Sequence, residues 1–198
     1  HLGEAIDIHG GGSDLTFPHH ENEAAQSRCA NQTSDYVRYW LHNGMLTMGS
    51  EKMSKSVGNV LTIRGLAQQH SGEVLRYALL SGQYRSSLSW SDELLSQARA
   101  SLDSLYQCLR DNPGDTPLTS NDFANGAAAG DPQNVVEALA DDLNTPQALA
   151  ALHELANRLR KATDAQAIAS ARAQLLTGGW LLGLLHKDPE RYITASKS

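Results

Sequence analysis

The chain has 198 residues, of which 40% are hydrophobic, and a formal net charge of −6 at pH 7. This composition is typical of a globular protein and excludes a collagen, a disordered chain and a disulfide scaffold, since Cys29 and Cys108 are the only cysteines. The longest apolar stretches are too short to span a membrane and the first residues lack a secretory signal, so we expect a cytoplasmic protein that contacts no membrane.

The first sixty residues have the pattern of an α/β domain. Residues 5–9 predict a short strand that runs into the glycines Gly10 to Gly12, which predict a loop. Residues 18–30 predict a helix with proline at its first turn. The later predicted elements are a strand at residues 36–41 and a hairpin at residues 45–48 that turns at Gly49-Ser50. Because α/β folds bind ligands where strands pass into loops, the glycines indicate a ligand site.

From residue 62 onward the apolar residues follow a helical period. Two short helices are predicted around Leu66 and Val74, and a long helix is predicted from Leu94 to Leu109. Residues 111–132 collect Pro, Gly, Asn, Asp and Ser and predict a long loop. Beyond the loop, further helical patterns lie at residues 135–139, 148–159 and 165–185. The second half is therefore predicted to be an antiparallel helical bundle.

The strongest chemical signal is the run Lys52-Met53-Ser54-Lys55-Ser56, which Gly58 follows two residues later. Two lysines three positions apart, separated by a small hydroxyl residue, form a flexible cationic loop that can close on a polyphosphate. Such a loop can stabilise the negative charge that develops on a pyrophosphate leaving group. A solvated pair of surface lysines is the alternative interpretation, and an arbitrary K-x-x-K would favour it.

A second signal is the spacing of His19 and Glu23. Residues at i and i+4 of one helix present their side chains on the same face, within reach of a single ion. An imidazole and a carboxylate together make half of a zinc site, and a surface ion pair or a helix cap is the alternative. Cys29 cannot easily complete the site, because six positions after Glu23 it lies off the shared face.

These motifs together resemble the class I aminoacyl-tRNA synthetases, and most specifically the cysteinyl-tRNA synthetases. The lysine run matches the second signature motif of the class. The upstream blocks that match the cysteine-specific family nearly letter for letter are Ile8-His9-Gly10-Gly11-Gly12-Ser13-Asp14-Leu15 and Phe17-Pro18-His19-His20-Glu21-Asn22-Glu23. The resemblance continues through Tyr39 to Met45, Leu75-Arg76-Tyr77 and Asp141 to Pro146, so it covers most of the chain.

The resemblance implies a reaction and its cofactors. The family activates cysteine with ATP and Mg²⁺ to an adenylate and then passes the cysteinyl group to tRNA-Cys. By this resemblance Lys52 and Lys55 are the catalytic residues that stabilise the phosphates, and Ser54 belongs to the same ATP-binding loop. Gly11 and Asp14 are implied to hold the adenosine part of ATP.

The resemblance also implies a zinc ion and an amino-acid pocket. In the family, the residues that match His19 and Glu23 ligate zinc together with two cysteines that lie earlier in the sequence, and neither cysteine is present in this chain. We therefore expect this chain alone to bind zinc weakly or not at all. His9 is implied to lie by the amino-acid pocket. For His9 and His20, a histidine held by a structural hydrogen bond is the alternative.

The expected fold is α/β followed by all-α. Residues 1–60 are expected to be the second half of a Rossmann-type catalytic domain, residues 61–91 a helical connection near the tRNA stem, and residues 92–198 a tRNA-binding helical bundle. The family's H-I-G-H motif is absent, so we expect an inactive piece of a longer, monomeric enzyme. Two alternatives are a cysteine ligase of thiol-cofactor biosynthesis and a non-catalytic fragment that binds tRNA or another partner.

Overall fold

The computed structural model describes residues 5–32, 35–48, 51–52, 61–114 and 131–195. The chain falls into two compact units. Unit 1 is drawn from His1–Val60 and Tyr84–Trp90, and unit 2 is drawn from Leu61–Gln83 and Ser91–Ser198. Within the described ranges, no helix combines the length and the apolar character that crossing a membrane would require.

Unit 1 contains two small sheets. Strands β1 (Ile6–Gly12) and β2 (Val37–Asn43) pair in parallel, and helix α1 (Glu21–Asn31) lies between them in sequence. In the second sheet, β3 (Leu46–Met48) pairs antiparallel with β4 (Glu51–Lys52) and parallel with β5 (Leu88–Ser89). The predicted strands and the predicted hairpin pairing are confirmed, and the turn at Gly49-Ser50 lies outside the described residues.

The predicted loop at Gly10 to Gly12 is wrong. These glycines continue β1, and their Cα partners on β2 are Leu41, His42 and Asn43. Glycine weakens a strand only modestly, and pairing with a neighbouring strand overrides that local preference. Helix α1 begins at Glu21 and directly continues the helical segment Thr16–His20, in which only Phe17 has an extended backbone, so the helix predicted from residue 18 is confirmed.

Unit 2 is helical wherever the structure describes it, apart from short connections. Its helices are α2 (Ile63–Gln69), α3 (Gly72–Leu80), α4 (Asp92–Asp111), α5 (Gln133–Ala140), α6 (Thr145–Lys161), α7 (Ala165–Leu181) and α8 (Pro189–Ala195). Side-chain oxygens of Ser71, Ser91, Asn144 and Asp164 accept hydrogen bonds from backbone N–H groups and so cap four of the helix N-termini. All the helices that the sequence predicts are present.

Two details of unit 2 differ from the prediction. Helix α7 ends at Leu181 rather than near residue 185, because Gly183 and Leu185 have left-handed backbones with φ of 69° and 62°. Helix α8 was not predicted. Of the predicted loop at residues 111–132, Asp111 belongs to α4, and residues 115–130 lie outside the described residues.

The core of unit 2 contains a buried carboxylate among apolar side chains. Leu102 and Leu105 of α4 are fully buried, as are leucines of the later helices. Among them, Glu73 accepts a hydrogen bond of 2.8 Å from the Tyr106 hydroxyl and one of 2.5 Å from the backbone N–H of Leu185. A buried carboxylate is tolerated when hydrogen bonds satisfy it, so these contacts join three distant segments of the unit.

Candidate functional site

The two faces of the β1–β2 sheet differ in character. Cross-strand partners share a face, so His9 lies beside Trp40 and Gly11 beside His42 on one face. Ile8 and Tyr39 are partners on the other face, where 66% and 70% of their surfaces are exposed. The polar, aromatic face therefore holds the candidate site.

Glu23 is the centre of this site. Its Oε1 lies 3.3 Å from Nε2 of His19, as the i and i+4 spacing predicts, and its Oε2 lies 3.3 Å from Nε2 of His9 on β1. Glu23 Oε2 is buried and accepts no hydrogen bond from any described residue. One carboxylate thus faces an imidazole from its own helical segment and another from the neighbouring strand.

His20 is the buried member of the cluster. Only 3% of its surface is exposed, and its Nδ1 lies 2.8 Å from Nε2 of His42. Its ring packs within 5.2 Å of the rings of His9 and Trp40. Burial lowers the pKa of His20, and the neighbouring His9 and His42 lower it further, so the neutral imidazole is favoured. The contact with His42 fixes which way the imidazole of His20 faces.

The arrangement has the features of a metal-ion site. His9, His20 and Glu23 each offer a ligand atom, and these atoms lie within 4.8 Å of one another. Two ligand atoms of a tetrahedral zinc ion, each bound at about 2.0–2.1 Å, lie roughly 3.3 Å apart. His9 and His19 each lie at that distance from a different oxygen of Glu23, so either imidazole could share an ion with this carboxylate. The imidazoles of His9 and His20 and a buried oxygen of Glu23 without a hydrogen bond are a donor set that fits zinc.

The sequence analysis identified only part of this cluster. It predicted the pair His19 and Glu23, which local helical spacing determines. It assigned no role to His42, and it left a structural hydrogen bond as the alternative for His20 without naming the partner residue, which the structure shows to be the His42 ring. The available signal was the strand alternation of Trp40 and His42, which places both on one face.

Gly11 and Asp14 lie at the carboxyl end of β1. A Cβ atom at Gly11 would lie 2.9 Å from Cε1 of His20, so glycine is required here to make room for that ring. Asp14 is exposed, in the short turn Ser13–Leu15 that follows the strand. The predicted contact of both residues with the adenosine of ATP stays a prediction.

The lysine loop is only partly described. Lys52 is the last residue of β4, and its Cα partner on β3 is Thr47. The side chain of Lys52 and the whole of Ser54 and Lys55 lie outside the described residues. Their predicted contacts with phosphates therefore also stay predictions.

Comparison with known proteins gives matches over both halves of the chain. Residues 1–100 match the family model described as tRNA synthetases class I (C) catalytic domain, and residues 134–186 match the DALR domain. A cysteine–tRNA ligase of Saccharophagus degradans is 52% identical over 198 residues, which are 100% of this chain and 41% of the relative. One of Parvibaculum lavamentivorans is 52% identical over 196 residues, which are 99% of this chain and 40% of the relative. The chain thus spans about two fifths of the length of these relatives.

Solved structures of other synthetases share the fold. A LeuRS–tRNA–LeuAMS ternary complex from Agrobacterium radiobacter K84 matches with a TM-score of 0.62 at 18% identity, over 89% of this chain and 24% of that chain. Mycobacterium tuberculosis methionyl-tRNA synthetase in complex with methionyl-adenylate matches with a TM-score of 0.53 at 21% identity, over 89% of this chain and 40% of that chain. At these identities the likeness concerns the fold alone.

Proposed function

Since this chain belongs to the class I (C) family of tRNA synthetases, we propose that it is part of a cysteine–tRNA ligase, which activates cysteine with ATP and Mg²⁺ and transfers it to tRNA-Cys. The identity of 52% to ligases of that name, over the whole chain, supports this assignment. The observation that carries it is the Glu23 carboxylate set between two imidazoles at the end of a parallel sheet. The cysteine ligase of thiol-cofactor biosynthesis is not favoured.

The proposed role of the histidine cluster is to select cysteine. His19 and Glu23 would hold the zinc ion, together with the two cysteines that the resemblance implies. A zinc ion held there would bind the thiolate of cysteine directly and the hydroxyl of serine poorly. A metal–sulfur bond can discriminate more strongly than the roughly 1–3 kcal/mol that an apolar pocket gains from one missing group.

His9 is proposed to line the amino-acid pocket. Its Nδ1 lies 3.5 Å from the Tyr36 hydroxyl and its ring packs 4.9 Å from that of Trp40, so the side chain is held on both sides. The ring of His20 packs against that of His9, and His42 contacts His20 in turn, so these two histidines help to hold His9 in place. When the side chains of a pocket are already held in place, less conformational entropy is lost as the substrate binds.

The remaining chemistry is assigned to the ATP end of the site. Asp14 and Gly11 would hold the adenosine, because a carboxylate can accept hydrogen bonds from ribose hydroxyls and a glycine lets the ligand approach the backbone closely. Lys52 and Lys55, with Ser54, would close on the phosphates and stabilise the charge that develops on the departing pyrophosphate.

The exposed apolar face of the β1–β2 sheet is proposed to be covered in the whole enzyme. Ile8, Tyr39 and Leu41 form an apolar face that would otherwise contact water. The relatives are more than twice as long as this chain. We assign the covering role to the other half of a Rossmann-type catalytic domain, and we assign tRNA contact to the helices of unit 2.

The direct test is amino-acid-dependent exchange between pyrophosphate and ATP, measured on the full-length protein. Cysteine should support the exchange and serine should not. Lys55→Ala should lower the exchange rate by about 10² or more while changing cysteine affinity much less, since removal of a preorganised charge acts on the transition state. Lys161→Ala at the end of α6 is the matched control and should leave the rate unchanged. Preferential activation of another amino acid would refute the assignment.

A further inference from the structure

A cavity in unit 2 has no place in the chemistry described so far. Its volume is about 580 Å³, and it lies between α3, α4 and the segment that contains α8. Val74 and Tyr192 contribute to its lining, together with the basic residues Arg99, Lys187 and Arg191. The segment from residue 187 onward lies outside both family matches, which end at residues 100 and 186.

The three basic side chains are available to a ligand. No acidic side chain in the described part of the chain forms an ion pair with Arg99, Lys187 or Arg191. Asp188 also lines the cavity, and its Oδ1 accepts a hydrogen bond of 2.9 Å from the backbone N–H of Arg191. Residues 92–198 carry nine Lys and Arg against fourteen Asp and Glu, so a third of the cations of an acidic region surround one cavity.

The wall behind these cations is formed by two stacked and hydrogen-bonded tyrosines. The ring of Tyr192 stacks on that of Tyr106 with centroids 3.8 Å apart, and its hydroxyl donates a hydrogen bond of 2.8 Å to Asp103. Lys187 Nζ lies 5.6 Å from the centroid of the Tyr192 ring, and its backbone N–H donates to the Tyr106 hydroxyl. These contacts hold the backbone of Lys187 in place and set its ammonium group over the aromatic ring of Tyr192.

The lining favours one kind of ligand. Tyr192 is buried, with 7% of its surface exposed, so it offers no open aromatic face on which a base could stack. The positive charge that lines the cavity comes from Arg99 on α4 and from Lys187 and Arg191 in the segment that contains α8. Sequence-independent contacts of Lys and Arg with phosphates are the main electrostatic source of affinity for nucleic acids.

We propose that Arg99, Lys187 and Arg191 form a phosphate-binding site for the backbone of an RNA, and that they contact the tRNA wherever its phosphates cross this cavity. The proposal rests on the proposed function, which makes tRNA the substrate. It adds a contact that carries no sequence information and therefore contributes affinity and orientation. The site should therefore raise the affinity of the chain for every tRNA to the same extent.

The test is the salt dependence of tRNA binding to the 198-residue chain. The dissociation constant for a tRNA-Cys transcript is measured by fluorescence anisotropy over a range of salt concentrations. Each phosphate contact contributes about 0.7–0.9 to the slope of log K against log salt. The triple substitution Arg99→Gln, Lys187→Gln and Arg191→Gln should reduce the slope by about 2 and weaken binding at least about tenfold at low salt.

Two matched variants sharpen the test. Arg158→Gln with Lys161→Gln removes two cations from the end of α6 in the same unit and should change the slope by less than about 1. Asp188→Asn removes the acid of the cavity but keeps an oxygen that can cap the Arg191 N–H, so it should tighten binding without unfolding α8. Thermal unfolding of all variants checks that the helices persist.

Several outcomes would overturn the proposal. An unchanged slope in the triple variant, an equal loss in the Arg158/Lys161 control, or no detectable tRNA binding by the chain would each refute it. Competition by millimolar inorganic phosphate that is lost in the triple variant would identify a small-anion site instead. The proposed function fails separately, since cysteine-dependent pyrophosphate exchange needs no tRNA and does not depend on these three residues.

Discussion

Units 1 and 2 bury different kinds of side chain. In unit 2 the fully buried residues are mainly leucines, such as Leu102 and Leu152, and its one buried charge, among the described residues, is satisfied by hydrogen bonds. In the β1–β2 region of unit 1, His20 is buried while Ile8 and Phe17 are largely exposed. The comparison indicates that apolar packing stabilises the core of unit 2. The β1–β2 region of unit 1 instead buries polar side chains and leaves large apolar side chains exposed.

The comparison predicts very different costs for removing apolar side chains. Leu102→Ala in unit 2 should lower the free energy of unfolding by about 2–5 kcal/mol, because it opens a cavity in a close-packed core. Ile8→Ala in unit 1 should cost less than about 1 kcal/mol, because the side chain is exposed. Urea unfolding followed by circular dichroism measures both. Equal costs for the two substitutions would contradict the comparison.

The buried carboxylate of unit 2 gives the next largest effect. Glu73→Ala should lower the free energy of unfolding by about 2–3 kcal/mol, since it leaves the Tyr106 hydroxyl and the Leu185 N–H without their acceptor. Tyr106→Phe should cost about 1–2 kcal/mol, because Glu73 keeps its other donor. Glu154→Ala, at an exposed position of α6, is the control. A loss below 0.5 kcal/mol, roughly the scatter of surface substitutions, would show that the network is dispensable.

Zinc binding by the chain itself probes the polar interior of unit 1. We predict a dissociation constant weaker than about 1 µM, since the sulfur ligands that stabilise most protein zinc sites are missing. Zinc at ten times the dissociation constant should then stabilise the chain by about 1.4 kcal/mol. Glu23→Gln should abolish the binding and Asp7→Asn should not. Isothermal titration decides, and tighter stoichiometric binding would mean that His9 and His20 complete the site.

The smallest predicted effect is a dependence of stability on pH that both units share. Burial lowers the pKa of His20 in unit 1 and of His153 in unit 2, so each imidazole takes up a proton more readily in the unfolded chain. Their contribution to stability is complete above about pH 6.5, the ordinary histidine value, and is lost as the pH falls through the lowered folded-state pKa.

Substitution of His153 separates its contribution to the pH dependence of stability from that of His20. His153→Gln should flatten the loss of stability below pH 6.5, although it also removes the hydrogen bond between the imidazole and the Tyr77 hydroxyl. His186→Gln, which changes an exposed histidine of the same unit, should not flatten it. Urea titrations at several pH values between 5 and 8 make the measurement. Stability that rises as the pH falls below 6.5 would contradict the assignment of both groups.

The sequence by itself determined what local periodicity encodes. The helices of unit 2 follow from apolar residues at helical spacing and from capping residues such as Ser91 and Asn144. The pair of His19 and Glu23 follows in the same way from one helical turn. The family follows from contiguous motifs. In each case the interacting residues lie within a few positions of one another, so that the order of residues is enough.

Only the tertiary structure decided which distant residues meet. Parallel pairing of β1 with β2 brought His9 beside Trp40, extended the strand through Gly10 to Gly12 and placed His42 against His20. In unit 2, Glu73 found partners 33 and 112 positions away. Strand register and helix packing depend on the fit of whole surfaces rather than on the residues nearby in sequence, and no local pattern specifies that fit.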